Sequence, residues 1–184
     1  NRQDNAALFS TLSIPVERLI INLPVNVLHT VSKASEEDIK KVIKFSSHRK
    51  IIVIPNGVNT SFYKPDRKAG ARIRERLGLE DKKVILFVGR LVPVKGVELL
   101  LRAAEEVLKT YPDVRFLIVG DGPLKGLVAN VCKKNPGVIY LGYREDIPSI
   151  MRISDILVLP SVSEGLPFVI LEAGHMGLAV IATD

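Results

Sequence analysis

From Lys82 to its end, the chain alternates short apolar runs with longer helical patterns, and this alternation limits the folds that it can adopt. The apolar runs fall at residues 84–88, 114–119, 138–141, 156–159 and 179–182. Each run carries apolar side chains at consecutive positions, which is typical of a strand that is covered on both faces. The sequence therefore predicts a Rossmann-like α/β domain, with a doubly wound parallel sheet.

The helical patterns lie between these strands, at residues 96–110, 124–134, 147–153 and 167–176. We expect the first helix to face the sheet with one apolar stripe, formed by Leu99, Leu100, Ala103, Val107 and Leu108. Asp146 precedes the third pattern and is a candidate N-cap. Pro167 suits the first turn of the fourth, because the N–H that it lacks would have no partner there.

The first part of the chain has its own pattern, with a strand at residues 26–32, a helix at 36–45 and a strand at 50–54. A Pro-Asn-Gly turn follows at residues 55–57, where Asn and Gly tolerate positive φ. The residues after this turn are polar, which favours a break between two domains.

We therefore expect residues 1–54 to be the tail of an N-terminal Rossmann-like domain and residues 55–69 to be an interdomain linker. Residues 70–184 would then be a truncated C-terminal domain. The last apolar run has no helix after it to cover the sheet. For this reason we expect both ends of the chain to be cut.

Composition excludes several classes of function. The net charge is +6 and aromatic residues make up 5% of the chain. The basic residues are scattered at expected solvent-exposed element ends, such as residues 72–76, without interleaved aromatics, so nucleic-acid binding is disfavoured. No apolar run approaches the roughly 20 residues that cross a bilayer. Cys132 is the only cysteine, which excludes an internal disulfide and is typical of a cytoplasmic protein.

The loop after the first strand of this domain contains Gly89, Arg90 and Lys95. Open parallel sheets bind ligands beyond the carboxyl ends of their strands. Gly89 would let the backbone approach a ligand, and two cations near a helix start suit a diphosphate. A surface loop that happens to hold two basic residues remains the alternative.

A Gly-x-Gly turn follows the second strand, at Gly120 and Gly122. The next glycine, Gly126, is too distant for the Gly-x-Gly-x-x-Gly fingerprint of dinucleotide sites. No acidic residue ends the strand that follows. A nicotinamide cofactor is therefore disfavoured, and a tight turn near a ligand remains.

Two carboxylates flank an apolar run at the start of the fourth helical pattern. We expect Glu164 just outside the helix start, facing the end of the strand at residues 156–159, and Glu172 within the helix. The helix dipole explains an acidic group at the first position but not at the second. Carboxylates also accept hydrogen bonds from the neighbouring hydroxyls of a sugar.

Together these stretches resemble the retaining GT-B glycosyltransferases of the glycosyl transferases group 1 family, whose E-x7-E motif Glu164 and Glu172 match. The supporting stretches occur in the order of the family: residues 53–59 with Phe62 and Pro65, 88–90 with Lys95 and Gly96, 119–122, 141–143, and 160–165. The resemblance covers roughly residues 30 to 184.

The resemblance implies two Rossmann-like domains around a cleft, with the nucleotide-sugar donor held mostly by the second. Arg90 and Lys95 would grip the donor diphosphate and stabilise it as the leaving group. Glu172 would bond the ribose hydroxyls, and Glu164 would lie beside the transferred sugar. The remaining donor-site residues that it implies are backbone neighbours of the donor and residues bordering the base: Gly89, Gly142, Tyr143, Arg144, Gly165, Leu166, Pro167 and Phe168.

The implied reaction moves a sugar from a nucleoside diphosphate to an acceptor hydroxyl with retention at the anomeric carbon. The family implies no metal and no other cofactor, and His29, His48 and His175 are isolated in the sequence. The acceptor stays open between a lipid, a glycan and a small molecule, and so does contact with the inner face of a membrane.

The chain departs from the family pattern at Gly174 and His175, which follow the second glutamate. Because most of the acceptor domain is absent, we expect this piece alone to be inactive. Two other GT-B activities stay open, an epimerase and a phosphorylase, although no lysine is marked for pyridoxal phosphate. A non-catalytic nucleotide-sugar binding module is the alternative of a different class.

Overall fold

The computed structural model describes residues 26–42 and 50–183. They fall into two compact units, divided between Asn56 and Gly57. In the first unit, β1 (Val27–Thr30) and β2 (Lys50–Val53) form a parallel pair. Helix α1 (Lys33–Val42) lies between them in sequence. The observed helix therefore begins three residues before the predicted one, which was placed at 36–45. Positions 43–45 lie outside the described residues, as does His48.

The second unit alternates helices and strands. Its elements are α2 (Arg67–Arg76), β3 (Lys83–Val88), α3 (Val97–Thr110), β4 (Val114–Val119), α4 (Lys125–Lys134), β5 (Val138–Gly142), α5 (Ile147–Arg152), β6 (Ile156–Leu159), α6 (Phe168–Met176) and β7 (Ala179–Ala182). The five strands are all parallel, in the order β5-β4-β3-β6-β7. The predicted Rossmann-like α/β fold is confirmed.

The strand order creates a switch point between β3 and β6. The chain runs from β3 outward to β5, then returns to the other side of β3 to form β6 and β7. Neighbouring loops diverge at such a point and leave a crevice at the carboxyl ends of the strands, where open α/β sheets bind ligands.

Each inner strand supplies side chains to two separate cores. Leu86 packs in the core that contains Ala173 and Met176 of α6, whereas Phe87 packs with Leu100 of α3. Successive side chains of a strand point to opposite faces, so uninterrupted apolar runs fill both cores at once. This two-sided burial is the physical basis of the strand prediction.

The buried face of helix α3 differs in part from the apolar stripe that the sequence predicts. Its buried residues are Val97, Leu100, Leu101 and Ala104, whereas Leu99 is 50% exposed. The predicted stripe is confirmed at Leu100, which is buried, and at Val107 and Leu108, which pack against the core. It is wrong at Leu99 and Ala103, which are exposed. A leucine triplet fits two helical faces, and only the docked sheet decides between them.

Helix α2 was not predicted, and it begins within the segment expected to be a linker. The Asp66 carboxylate caps its first turn by accepting a hydrogen bond from the Ala69 N–H at 2.9 Å. Most of its residues are charged, and only a few, such as Ile73, pack toward the core. Such a sequence carries little periodic signal.

An ion pair joins α2 to the amino end of β6. The Arg74 guanidinium donates to both carboxylate oxygens of Asp155, at 3.3 and 3.2 Å. The same carboxylate accepts the Val84 N–H at 2.8 Å, at the start of β3. Arg74 also donates to the Leu79 carbonyl at 3.2 Å. Arg74 is therefore an internal clamp, and the expectation of a solvated helix end is wrong at this residue.

A cleft of about 340 Å³ borders this clamp and is lined by Arg74, Asp155 and Met151 among others. It lies at the amino ends of the strands. Ligand crevices of open α/β sheets lie at the opposite ends. None of the helices in the described ranges has the length and apolar character that a membrane crossing requires.

We expect Asp155→Ala to lower the free energy of unfolding by about 2–3 kcal/mol, because it leaves Arg74 and the Val84 N–H without their acceptor. Urea unfolding followed by circular dichroism measures this change. Asp113→Ala is the control, since Asp113 pairs with Lys82 at the surface, and it should change stability little. Equal effects of the two substitutions would contradict the clamp.

Candidate functional site

The loops after β3 and β6 are fastened to each other at the switch point. The Val162 N–H donates to the Val94 carbonyl at 2.8 Å. Gly96 has φ +67°, and a Cβ atom there would stand 1.9 Å from the Pro160 carbonyl oxygen. Only glycine allows this approach, because any side chain would collide with backbone and adopt a strained conformation.

The fastened loops bring Lys95 and Glu164 together. Their side chains form an ion pair between residues 69 positions apart. The two side chains are only 23% and 24% exposed. Partial burial raises the pKa of Glu164, but hydrogen bonds from Lys95 and Ser161, together with the positive charge of Lys95, outweigh it and hold that pKa below its usual value. The carboxylate is therefore ionised at neutral pH.

Arg90 lies on the same loop as Lys95 and differs from it in its surroundings. It is exposed, and its guanidinium has no hydrogen bond or ion pair with any residue of the described ranges. Gly89 adjoins Lys95, because a Cβ atom on Gly89 would stand 4.0 Å from the Lys95 Cδ. Among the described residues, the structure thus brings one unpaired cation, Arg90, and one paired cation, Lys95, to the loop after β3.

The Gly-x-Gly turn after β4 packs against this loop. A Cβ atom on Gly120 would stand 1.8 Å from the Gly89 carbonyl oxygen, and one on Gly122 would stand 2.6 Å from that of Leu91. The Leu91 N–H donates to the Asp121 carbonyl at 2.9 Å. These glycines serve the contact between two loops, which accounts for them without a dinucleotide fingerprint.

Glu172 is half-buried on α6 and faces Tyr63, which sequence reasoning missed. Burial, then the hydrogen bond and negative charge of Glu172, raise the pKa of Tyr63. Tyr63 is 9% exposed and packs with Ala173 and Met176. Sequence reasoning singled out the neighbouring Phe62 instead, which is 56% exposed.

The structure does not join Glu172 to the other predicted charged groups. Within the described ranges, no hydrogen bond or ion pair connects it to Lys95 or to Glu164. The two glutamates therefore have different surroundings. One pairs with a lysine at the switch point, and the other faces a phenol at the edge of a core.

The last residue of β5, Gly142, and the residues after it form a turn at the same end of the sheet. Gly142 has φ +68°, and its carbonyl accepts the Gly120 N–H at 2.8 Å. The Tyr143 side chain is 72% exposed. Arg144 makes two hydrogen bonds of 2.8 Å with the Asp146 carboxylate. Asp146 is the predicted N-cap residue of α5, but its side chain pairs with Arg144 and makes no capping hydrogen bond to the helix.

The turn before α6 contains Gly165, Leu166 and Pro167, and Phe168 is the first residue of the helix. Pro167 is the N-cap of α6 and precedes the first turn in which we expected it. Its carbonyl accepts the Ile170 N–H at 3.2 Å. The Phe168 side chain is exposed. Within residues 26–42 and 50–183, no group of three or more His, Cys, Asp or Glu residues could hold a metal.

The family model described as glycosyl transferases group 1 matches residues 82–184, which is more than half of the chain. The chain belongs to this family. The matched part includes β3 to β7 and both fastened loops.

Two curated relatives illustrate the range of the family. A UDP-Gal:alpha-D-GlcNAc-diphosphoundecaprenol alpha-1,3-galactosyltransferase of Escherichia coli is 39% identical over 73% of this chain and 37% of its own length. A GDP-mannose-dependent alpha-(1-6)-phosphatidylinositol monomannoside mannosyltransferase of Mycolicibacterium smegmatis is 36% identical over 70% of this chain and 37% of its own length. The chain thus spans little more than a third of these relatives.

Among solved structures, Anabaena Alr3699/HepE in complex with UDP-glucose superposes with a TM-score of 0.79 and 25% identity. The match covers 96% of this chain and 50% of that one. This structural similarity agrees with the description of the chain as a Rossmann-like part of a GT-B glycosyltransferase.

We expect Gly96→Ala to lower the free energy of unfolding by at least about 2 kcal/mol, because it forces strain and a backbone collision between the two loops. Gly174→Ala is the matched control, since a Cβ atom there meets nothing within 4 Å and φ is not positive. This second change should stabilise α6 by up to about 1 kcal/mol. Urea unfolding of both variants measures the difference, and the same sign for both would contradict the close approach.

Proposed function

We propose that this chain carries most of the nucleotide-sugar donor site of a retaining glycosyltransferase. The enzyme would transfer a sugar from a nucleoside diphosphate to an acceptor hydroxyl. The observation that carries the proposal is the meeting of Lys95 and Glu164 at the switch point, on a loop whose Arg90 has no side-chain partner within the described residues. Membership in the glycosyl transferases group 1 family supports it.

Arg90 and Lys95 are the groups that we assign to the diphosphate. Negative charge develops on the diphosphate as the bond to the sugar breaks, and fixed cations stabilise that charge. Both lie on the loop that leads into α3, whose N-terminal dipole also favours an anion. Gly89 leaves room for the donor next to Lys95. These groups supply the stabilisation without a metal or another cofactor.

Glu164 is the group that we place beside the transferred sugar. An ionised carboxylate there would stabilise positive charge on the sugar ring and accept hydrogen bonds from its hydroxyls. The turn at Gly165, Leu166, Pro167 and Phe168 would direct backbone N–H groups to sugar hydroxyls or phosphate, with Pro167 contributing shape alone.

The nucleoside would lie further along the carboxyl edge of the sheet. Glu172, matching the second position of E-x7-E, would accept hydrogen bonds from the two ribose hydroxyls. Gly142, Tyr143 and Arg144 would border the base, and the exposed ring of Tyr143 offers a flat apolar face for it.

The acceptor site would belong to the other domain. We propose that residues 1–54 are the tail of that domain, that 55–69 connect the two, and that the donor domain follows. The names of two relatives include lipid-linked acceptors, a diphosphoundecaprenol and a phosphatidylinositol mannoside. A lipid or glycan acceptor, met by a cytoplasmic enzyme at the membrane surface, is consistent with them. The piece alone would be inactive.

We expect Arg90→Ala and Glu172→Ala, made in the protein at its natural length, to reduce turnover roughly a hundredfold without unfolding it. A thermal-shift panel of UDP, GDP and ADP with their sugars selects the donor, since a ligand of the folded state raises Tm. Turnover is then measured with that donor.

Arg102→Ala is the control for charge, because Arg102 is an exposed arginine on α3 and should leave turnover unchanged. Full turnover in both site variants would overturn the proposed function. Donor binding by a wild-type protein that never turns over the donor would instead favour a non-catalytic binding module.

A further inference from the structure

The ion pair with Glu164 occupies Lys95, which is one of the two cations that the proposed function assigns to the donor diphosphate. Of the two cations assigned to the diphosphate, Arg90 has no side-chain partner among the described residues, whereas Lys95 already has a carboxylate. A diphosphate that enters this site must therefore either share Lys95 with Glu164 or displace the Glu164 carboxylate from Lys95.

Two backbone contacts hold together the loops that carry Lys95 and Glu164. The Val162 N–H is bonded to the Val94 carbonyl, and Gly96 approaches Pro160 so closely that no side chain fits between them. These contacts hold the two loops against each other near Lys95 and Glu164, and the ion pair can open by rearrangement of the two side chains. Any ligand of Lys95 will have the Glu164 carboxylate as its neighbour.

We infer that Glu164 competes with the diphosphate for Lys95 and so makes the site prefer the intact donor over the nucleoside diphosphate product. This inference rests on the proposed function. With the intact donor, a displaced Glu164 carboxylate gains new partners, because the hydroxyls of the transferred sugar can donate to it. With the product, no sugar is present, and the carboxylate faces a second anion.

The competition has a consequence for the end of the reaction. Once the sugar has moved to the acceptor, Glu164 loses its hydroxyl partners while the diphosphate still holds Lys95. Re-forming the ion pair removes one of the two cations from the product. Glu164 therefore promotes departure of the nucleoside diphosphate and frees the site for another donor.

Calorimetric titration of the Glu164→Gln variant tests the inference in the protein at its natural length. UDP and UDP-glucose form one pair of probes, and GDP and GDP-mannose form the other. Glutamine keeps the shape and can accept a sugar hydroxyl, but it carries no charge. We expect the Kd of the nucleoside diphosphate to fall by roughly two- to fivefold, the range expected for a partly exposed ion pair. The Kd of the nucleotide sugar should stay unchanged or rise.

Glu98→Gln is the matched control, because Glu98 is exposed in the first turn of α3 and should shift both Kd values equally. In a Lys95→Met background, the gain from Glu164→Gln should disappear. A gain of the same size there would show repulsion without competition for Lys95 and would overturn the inference.

Two further outcomes separate the inference from the proposed function. If the wild-type protein binds the donor and Glu164→Gln leaves the ratio of the two Kd values unchanged, or weakens binding of the diphosphate, the inference alone fails. If the wild-type protein binds neither member of either probe pair, the donor site and the inference fail together.

Discussion

The close approach of the loops after β3 and β6 is the contact on which the rest of the site depends. Parallel strand order makes these loops neighbours, and Gly96 lets one backbone come against the other at Pro160. The ion pair of Lys95 and Glu164 follows from that contact. Two charged side chains from distant parts of the chain are brought together by the backbone contact between their loops.

The two predicted glutamates lie in different electrostatic surroundings, although one precedes α6 and the other lies within the same helix. Lys95 keeps the pKa of Glu164 low, so its charge persists at neutral pH. Glu172 faces the buried phenol of Tyr63 instead. The Glu164 carboxylate can give up its lysine partner to an anionic ligand. The Glu172 carboxylate, which faces a phenol, is held in one orientation as a hydrogen-bond acceptor. The proposed roles at sugar and ribose use this difference.

Much of the fold could be predicted because burial on both faces leaves a continuous apolar run. Strands β4, β6 and β7 have the predicted bounds, 114–119, 156–159 and 179–182. Helix α2 was missed because charged residues give no periodic signal. The site was predictable only as separate stretches. The pairing of Lys95 with Glu164 depends on strand order, which a local pattern does not contain, and Tyr63 lay in a segment expected to be a linker.

The position of the diphosphate is the central claim, and a crystal structure of the protein at its natural length with UDP or GDP tests it most directly. We predict a phosphate oxygen within hydrogen-bond distance of both Arg90 and Lys95, at the carboxyl end of β3, with Glu164 released from the lysine. A nucleotide bound elsewhere, or one that leaves both cations without contact, would contradict the account.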